Sequence, residues 1–227
     1  HPDYLSSRHA EFLSDEIKKP LIRIQHHHAH IASCMAENRL DEPVIGISFD
    51  GTGYGTDGTI WGGEFLIASL GDFTRYTYLD PVALPGGDAA VREPWRTAFS
   101  YLYKYFGNTF DFMSLPVFNQ AGSEKLKLLA DMLDKNINSP LSSGAGRLFD
   151  AVSALLGLCT IEKFDSEAPL RLESAIAEKT GGHYPYTAGG QVVFREMFIS
   201  ILDDIRTGNS SMVPVKFHNT LAKVILD

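Results

Sequence analysis

Apolar residues recur along this chain with two different periods, and the change falls near residue 85. Ser6 or Ser7 caps a predicted helix that runs to Lys19, where Pro20 stops it. Residues 21–25 read as a short strand, and a helix follows from His26, or close to it, to Leu40. Residues 43–49 are a near-continuous apolar run, the pattern of a buried strand, ending at Asp50. A glycine-dense turn over 51–58 leads to strands over 59–70 and near 74–79. Strands joined so tightly predict an antiparallel ribbon attached to a larger sheet.

After Pro85-Gly86-Gly87-Asp88 helical spacing takes over, at 94–106, 122–133, 144–159, 167–179, 191–206 and 215–226. Residues 180–190 read as a linker-like loop. The chain is thus a β-rich part, residues 1–90, followed by a mostly helical part, residues 91–227. The expected class is α/β.

Composition narrows the ligands. The 227 residues are 44% hydrophobic and 21% charged, enough for one sizeable core or two small lobes. A formal charge of -8 argues against nucleic acid, which needs a basic face. A small phosphorylated ligand is still compatible, because backbone amides hold phosphates without Lys or Arg. The two cysteines, Cys34 and Cys159, are far apart, which speaks against a zinc ribbon or a disulfide framework. They read as free buried thiols in a reducing cytoplasm. No apolar run is long enough for a membrane span, and no signal-peptide pattern opens the chain. Because the first residue is His, the sequence is expected to be part of a longer polypeptide.

The run His26-His27-His28-Ala29-His30 carries the sharpest chemistry. On a helix His26 and His30 share one face, with Cβ atoms about 5–6 Å apart, a register in which two imidazoles ligate one divalent metal. Residue 27 is His and not Glu, so this is not the metalloprotease motif with its built-in base. His27 and His28 point away from that face and are candidates for contacting substrate or supporting the ligands.

Asp50-Gly51-Thr52-Gly53-Tyr54-Gly55 directly follows a strand and precedes another, not a helix, which rejects a dinucleotide fingerprint. Strand, acidic residue, glycine turn and strand suit a phosphate cradle, with Asp50 holding a metal or a water. A small-residue turn with Ser143, Gly144 and Gly146 opens an apolar helix, offering amides to an anion beside Arg147 and Asp150. Arg92 and Arg96, at another helix start, are a further anion candidate.

Several strings together resemble one family: His1-Pro2-Asp3-Tyr4, Gln25-His26-His27-His28-Ala29-His30, the Asp50–Gly55 loop, Trp61-Gly62-Gly63-Glu64, Pro85-Gly86-Gly87-Asp88 and Arg147-Leu148-Phe149-Asp150-Ala151-Val152. In this order they are similar to the C-terminal carbamoyl-transfer region of HypF, the hydrogenase maturation carbamoyltransferase. The resemblance implies the actin-like, sugar-kinase and heat-shock ATPase superfold (ribonuclease-H-like), shared with the tRNA threonylcarbamoyl-transfer enzymes. It implies that His26, His30 and Asp50 hold a divalent metal (zinc, iron or magnesium) and form the catalytic set. The Asp50–Gly55 loop, Gly62, Gly63, Ser143, Gly144, Gly146, Arg147 and Asp150 would face ATP or carbamoyl-adenylate.

It also implies a reaction. A separate YrdC-like domain makes carbamoyl-adenylate, and this region passes the carbamoyl group to the C-terminal cysteine of HypE. The acceptor thiolate is the nucleophile, so no Ser-His or Cys-His pair is needed here. The superfold has a second glycine-rich nucleotide loop, and the chain is expected to stop short of it. O-carbamoyltransferases of the nodulation and antibiotic-tailoring type share the histidine pair, and their acceptor is a small-molecule hydroxyl. A non-catalytic ATP-binding scaffold is the alternative of another class.

Overall fold

The computed structural model of the protein describes residues 1–177 and 180–227. Two helices come first, α1 (Leu5–Ile17) and α2 (His26–Glu37), followed by strands β1 (Val44–Tyr54), β2 (Ile60–Ala68), β3 (Phe73–Tyr78) and β4 (Val82–Ala83). Then come α3 (Asp88–Arg92), α4 (Pro94–Phe106), α5 (Pro116–Ala121), α6 (Ser123–Asp134), β5 (Leu141–Ser142) and α7 (Ala145–Leu155). The rest is helical: α8 (Glu167–Ser174), α9 (Arg195–Arg206) and α10 (Val213–Leu226).

β1, β2 and β3 form the expected antiparallel ribbon, and β5 joins β2 in parallel at Ile60 and Ser142. β4 closes the sheet against β5, giving the order β1-β2-β5-β4 with β3 on β2. Helices cover both faces of this sheet. On one face α2 buries Ile31 and Met35 against Trp61, Leu66 and Ala68. On the other, α4, α7, α9 and α10 enclose the main core, which β2 and the following segment enter through Phe65, Leu79, Val82 and Leu84.

Missing side chains set how closely the layers approach. A Cβ on Gly46 would lie 2.4 Å from Ile31 Cδ1, so α2 sinks onto β1 only because residue 46 is glycine. Behind the sheet, a Cβ on Gly144 would lie 2.5 Å from the Gly51 carbonyl oxygen. That contact brings the start of α7 against the middle of β1.

Several expectations need correction. Residues 21–25 form no strand; among the described residues no strand pairs with them, their Gln25 carbonyl instead accepts the Ala29 N–H of α2, and Leu21, Ile22 and Ile24 are exposed. The glycine-rich stretch is not a turn from residue 51: β1 runs on to Tyr54 through a bulge between Phe49 and Gly53, and the chain reverses over 55–59. Glycine content signalled irregular backbone, and the irregularity is a bulge inside a strand.

The first helix stops at Ile17, with Lys18 left-handed (φ 53°), and the second stops at Glu37. The helix expected over 144–159 ends at Leu155, and Gly157 turns the chain with φ 71°. The helix expected over 167–179 ends at Ser174; its last two positions lie outside the described residues. α9 begins at Arg195 and not at 191, because Val192 bridges Leu79.

Residues 180–190 are not a linker. Tyr184 is buried, its N–H donates to Thr220 Oγ1, and Asn219 Nδ2 donates to the Thr180 and Gly182 carbonyls. Both cysteines are free, but only Cys159 is buried; Cys34 is exposed. Among the described residues no helix is long and apolar enough to cross a membrane.

Candidate metal centre

The first turn of α2 meets β1 at its bulge, and this crossing brings the two sequence motifs together. His26 Nε2 lies 3.1 Å from Asp50 Oδ2 and 3.2 Å from His30 Nε2. One donor atom from each residue fits within 4.8 Å of the others. Ligands 2.0–2.1 Å from a tetrahedral ion sit about 3.3 Å apart, so these spacings match two edges of a coordination shell. The donor set of two imidazoles and one carboxylate suits zinc or another divalent ion. His26 and His30 are exposed, which leaves room for further ligands on the open side.

The other histidines are placed differently. His27 is fully buried beneath Gly53, where a Cβ would lie 2.4 Å from its Cε1. Burial lowers its pKa, Glu64 and Asp50 oppose that shift, and among the described residues its Nε2 has no hydrogen-bond partner. His28 packs on Phe73, and its Nε2 bonds the Ser69 carbonyl at 2.8 Å, away from the centre.

A cleft of about 890 Å3 opens beside His26, within the size range of small-molecule sites. Thr52, Tyr54, Thr56 and Thr59 line it from the ribbon; Tyr4 and residues 21–25 line it from the N-terminal side. Thr52 and Tyr54 are exposed, whereas Gly53 and Gly55 are buried against His27 and Trp61. Gly62, Gly63, Gly144 and Gly146 lie where backbones cross: Cβ atoms there would come 2.6 Å from Asp50 O, 2.4 Å from Ser143 O, 2.5 Å from Gly51 O and 3.0 Å from Gly51 Cα. These glycines therefore have packing reasons of their own. Arg96 is held by Glu93 at 2.7 Å.

Arg147 and Asp150 are both buried on α7. Arg147 Nη1 is 2.8 Å from Asp150 Oδ2, yet the N–H does not point at the oxygen, and among the described residues neither atom makes a directed hydrogen bond. Burial pushes the Asp150 pKa up to about 7, with Arg147 opposing and Glu162 adding to the shift. The folded state then holds a proton that the unfolded chain, with an ordinary carboxylate pKa, has released. Stability should fall as pH rises from about 4 to 7 and level off above that. Asp150→Asn should remove this slope, so its stability relative to wild type should improve between pH 5 and pH 8. Urea unfolding at the two pH values checks it; a difference independent of pH would contradict it.

One polar cluster was not foreseen. Glu64 is fully buried in β2; Arg75 Nε donates to its Oε2 at 2.6 Å and Ser143 Oγ donates to its Oε1 at 2.5 Å. Arg75 also reaches Asp57 at 3.0 Å and lies between the rings of Trp61 and Tyr78. The available signal was a charged residue in an otherwise apolar strand, which requires a partner. The cluster locks the ribbon onto the start of α7.

Comparison with known proteins bears on the whole arrangement. Residues 46–227 match the family described as carbamoyltransferase, Kae1-like domain, second subdomain, and residues 1–37 match the HypF Kae1-like domain. The chain belongs to the HypF carbamoyltransferase family. It is 35% identical to a carbamoyltransferase HypF homolog of Cupriavidus necator over all of this chain and 60% of that protein. It is 37% identical to carbamoyltransferase HypF of Synechocystis, again over the whole chain but 31% of the relative.

A crystal structure of full-length HypF in a phosphate- and nucleotide-bound form superposes with TM-score 0.88 at 38% identity, over all of this chain and 35% of that one. HypF of T. kodakarensis gives 0.79 at 34% identity, over 94% of this chain and 29% of that one. The fold is accordingly α/β, of the actin-like, ribonuclease-H-like type. The chain spans between about a third and three fifths of the length of these HypF proteins.

Proposed function

We propose that this domain binds carbamoyl-adenylate and transfers its carbamoyl group to the C-terminal cysteine thiolate of HypE, in making the cyanide ligand of [NiFe]-hydrogenase. The convergence of His26, His30 and Asp50 beside an open cleft carries the reading, because it sets a cation-binding donor set where a ligand can reach it. A full-length HypF, of which this chain matches about a third, takes up phosphate and nucleotide, which fits an adenylate as the ligand.

A divalent ion held by these three residues would polarise the carbamoyl or phosphate oxygens and stabilise the charge on departing adenylate. The thiolate sulfur attacks the carbamoyl carbon, the bond from that carbon to the phosphate oxygen breaks, and AMP leaves with its electron pair. The products are a thiocarboxamide and AMP. The domain's own residues bind and orient the adenylate; Thr52 and Tyr54 are the exposed positions of the loop nearest His26. ATP enters through carbamoyl-adenylate formation in another part of the longer protein, and the setting is cytoplasmic.

The test supplies carbamoyl-adenylate and HypE to the full-length protein and reads HypE by mass spectrometry. A carbamoyl group on its terminal cysteine is expected. An unmodified cysteine, with carbamoylation of a small hydroxyl compound instead, would overturn the choice of acceptor.

A further inference from the structure

We infer that Gln25 is the positioning residue of the histidine–aspartate centre, clamping the first turn of α2 to the end of β1 so that His26 faces Asp50. The inference rests on the metal reading above. Gln25 is the N-cap of α2, and its Oε1 accepts the His28 N–H at 2.9 Å. Its amide nitrogen has two hydrogens: one donates to the Tyr54 carbonyl at 3.2 Å, the other lies 2.9 Å from His27 Nδ1.

Capping alone does not account for glutamine here, since Ser, Asp, Asn and Thr are the preferred caps. What the longer side chain adds is reach. It joins α2 to the strand end four residues beyond Asp50, and it fixes the ring next to His26 in sequence. Because Oε1 is committed to the helix, the nitrogen must face His27, so Nδ1 accepts and the ring hydrogen sits on Nε2. His26 is then pinned through both of its chain neighbours, and His27 is wedged under Gly53. Side chains that orient metal ligands without touching the metal typically change affinity ten- to a hundredfold when removed.

The test compares Gln25→Ser, Gln25→Ala and His26→Ala in the full-length protein, titrated with Co2+ against a competing chelator. Serine keeps a good helix cap but cannot reach Tyr54 or His27. Gln25→Ser is expected to melt like wild type yet bind Co2+ about ten- to a hundredfold more weakly, with a changed visible absorption spectrum. Gln25→Ala should show the same loss, and His26→Ala a larger one. Wild-type affinity and spectrum in Gln25→Ser, alongside loss in His26→Ala, would overturn the role of Gln25 alone. Wild-type affinity in His26→Ala, or no Co2+ binding by the unaltered protein, would overturn the metal reading and this inference with it.

Discussion

The double substitution His26→Ala, His30→Ala is expected to abolish divalent-metal binding and to lower carbamoyl transfer by a factor of about 10²–10³ or more. Two of the three converging donors are lost, and Asp50 alone cannot hold an ion against water. Charge on the departing adenylate then develops with no cation beside it. Both histidines are exposed, so the variant should fold normally. Metal analysis, thermal melting and a transfer assay on one preparation separate these effects. A metal-free variant that transfers at the wild-type rate would leave the cluster without a catalytic role.

Arg75→Ala should be strongly destabilising. It would leave the fully buried Glu64 carboxylate with only neutral donors, the Ser143 hydroxyl and the Gly62 and Gly63 amides at 3.2 and 3.4 Å. Removing one partner from a buried pair costs about 3–5 kcal/mol. That is a large part of the roughly 5–15 kcal/mol that holds a domain folded. Replacing both partners, as Glu64→Gln with Arg75→Met, should cost less than Arg75→Ala, because no buried charge is left uncompensated. Urea unfolding of the single and double variants measures the order; a double variant less stable than the single one would contradict it.

How much of this was legible in the sequence depends on which interactions are local. His26 and His30 share a helix turn, so their pairing followed from spacing alone. The meeting of His26 with Asp50 depends on how α2 crosses β1, and Gly46 and Gly53 set that crossing. No periodicity reports it; the family resemblance supplied it. Glycine density over 51–58 marks a break without saying which kind; it predicts a turn, whereas a bulge keeps the strand going to Tyr54. β5, two residues long, and the Arg75–Glu64 pair were invisible for a related reason. Each depends on partners distant in sequence, Ile60 for Ser142 and β2 for β3. Residues 21–25 have the composition of a strand, but among the described residues no strand pairs with them.

The most direct test of the account follows both half-reactions in the full-length protein, comparing wild type with His26→Ala, His30→Ala. ATP and carbamoyl phosphate are supplied to follow adenylate formation; carbamoyl-adenylate and HypE are supplied to follow transfer. Adenylate formation should be unchanged, and carbamoylation of the HypE terminal cysteine should fall at least a hundredfold. Undiminished carbamoylation by the double variant would contradict the placement of the transfer step at His26, His30 and Asp50.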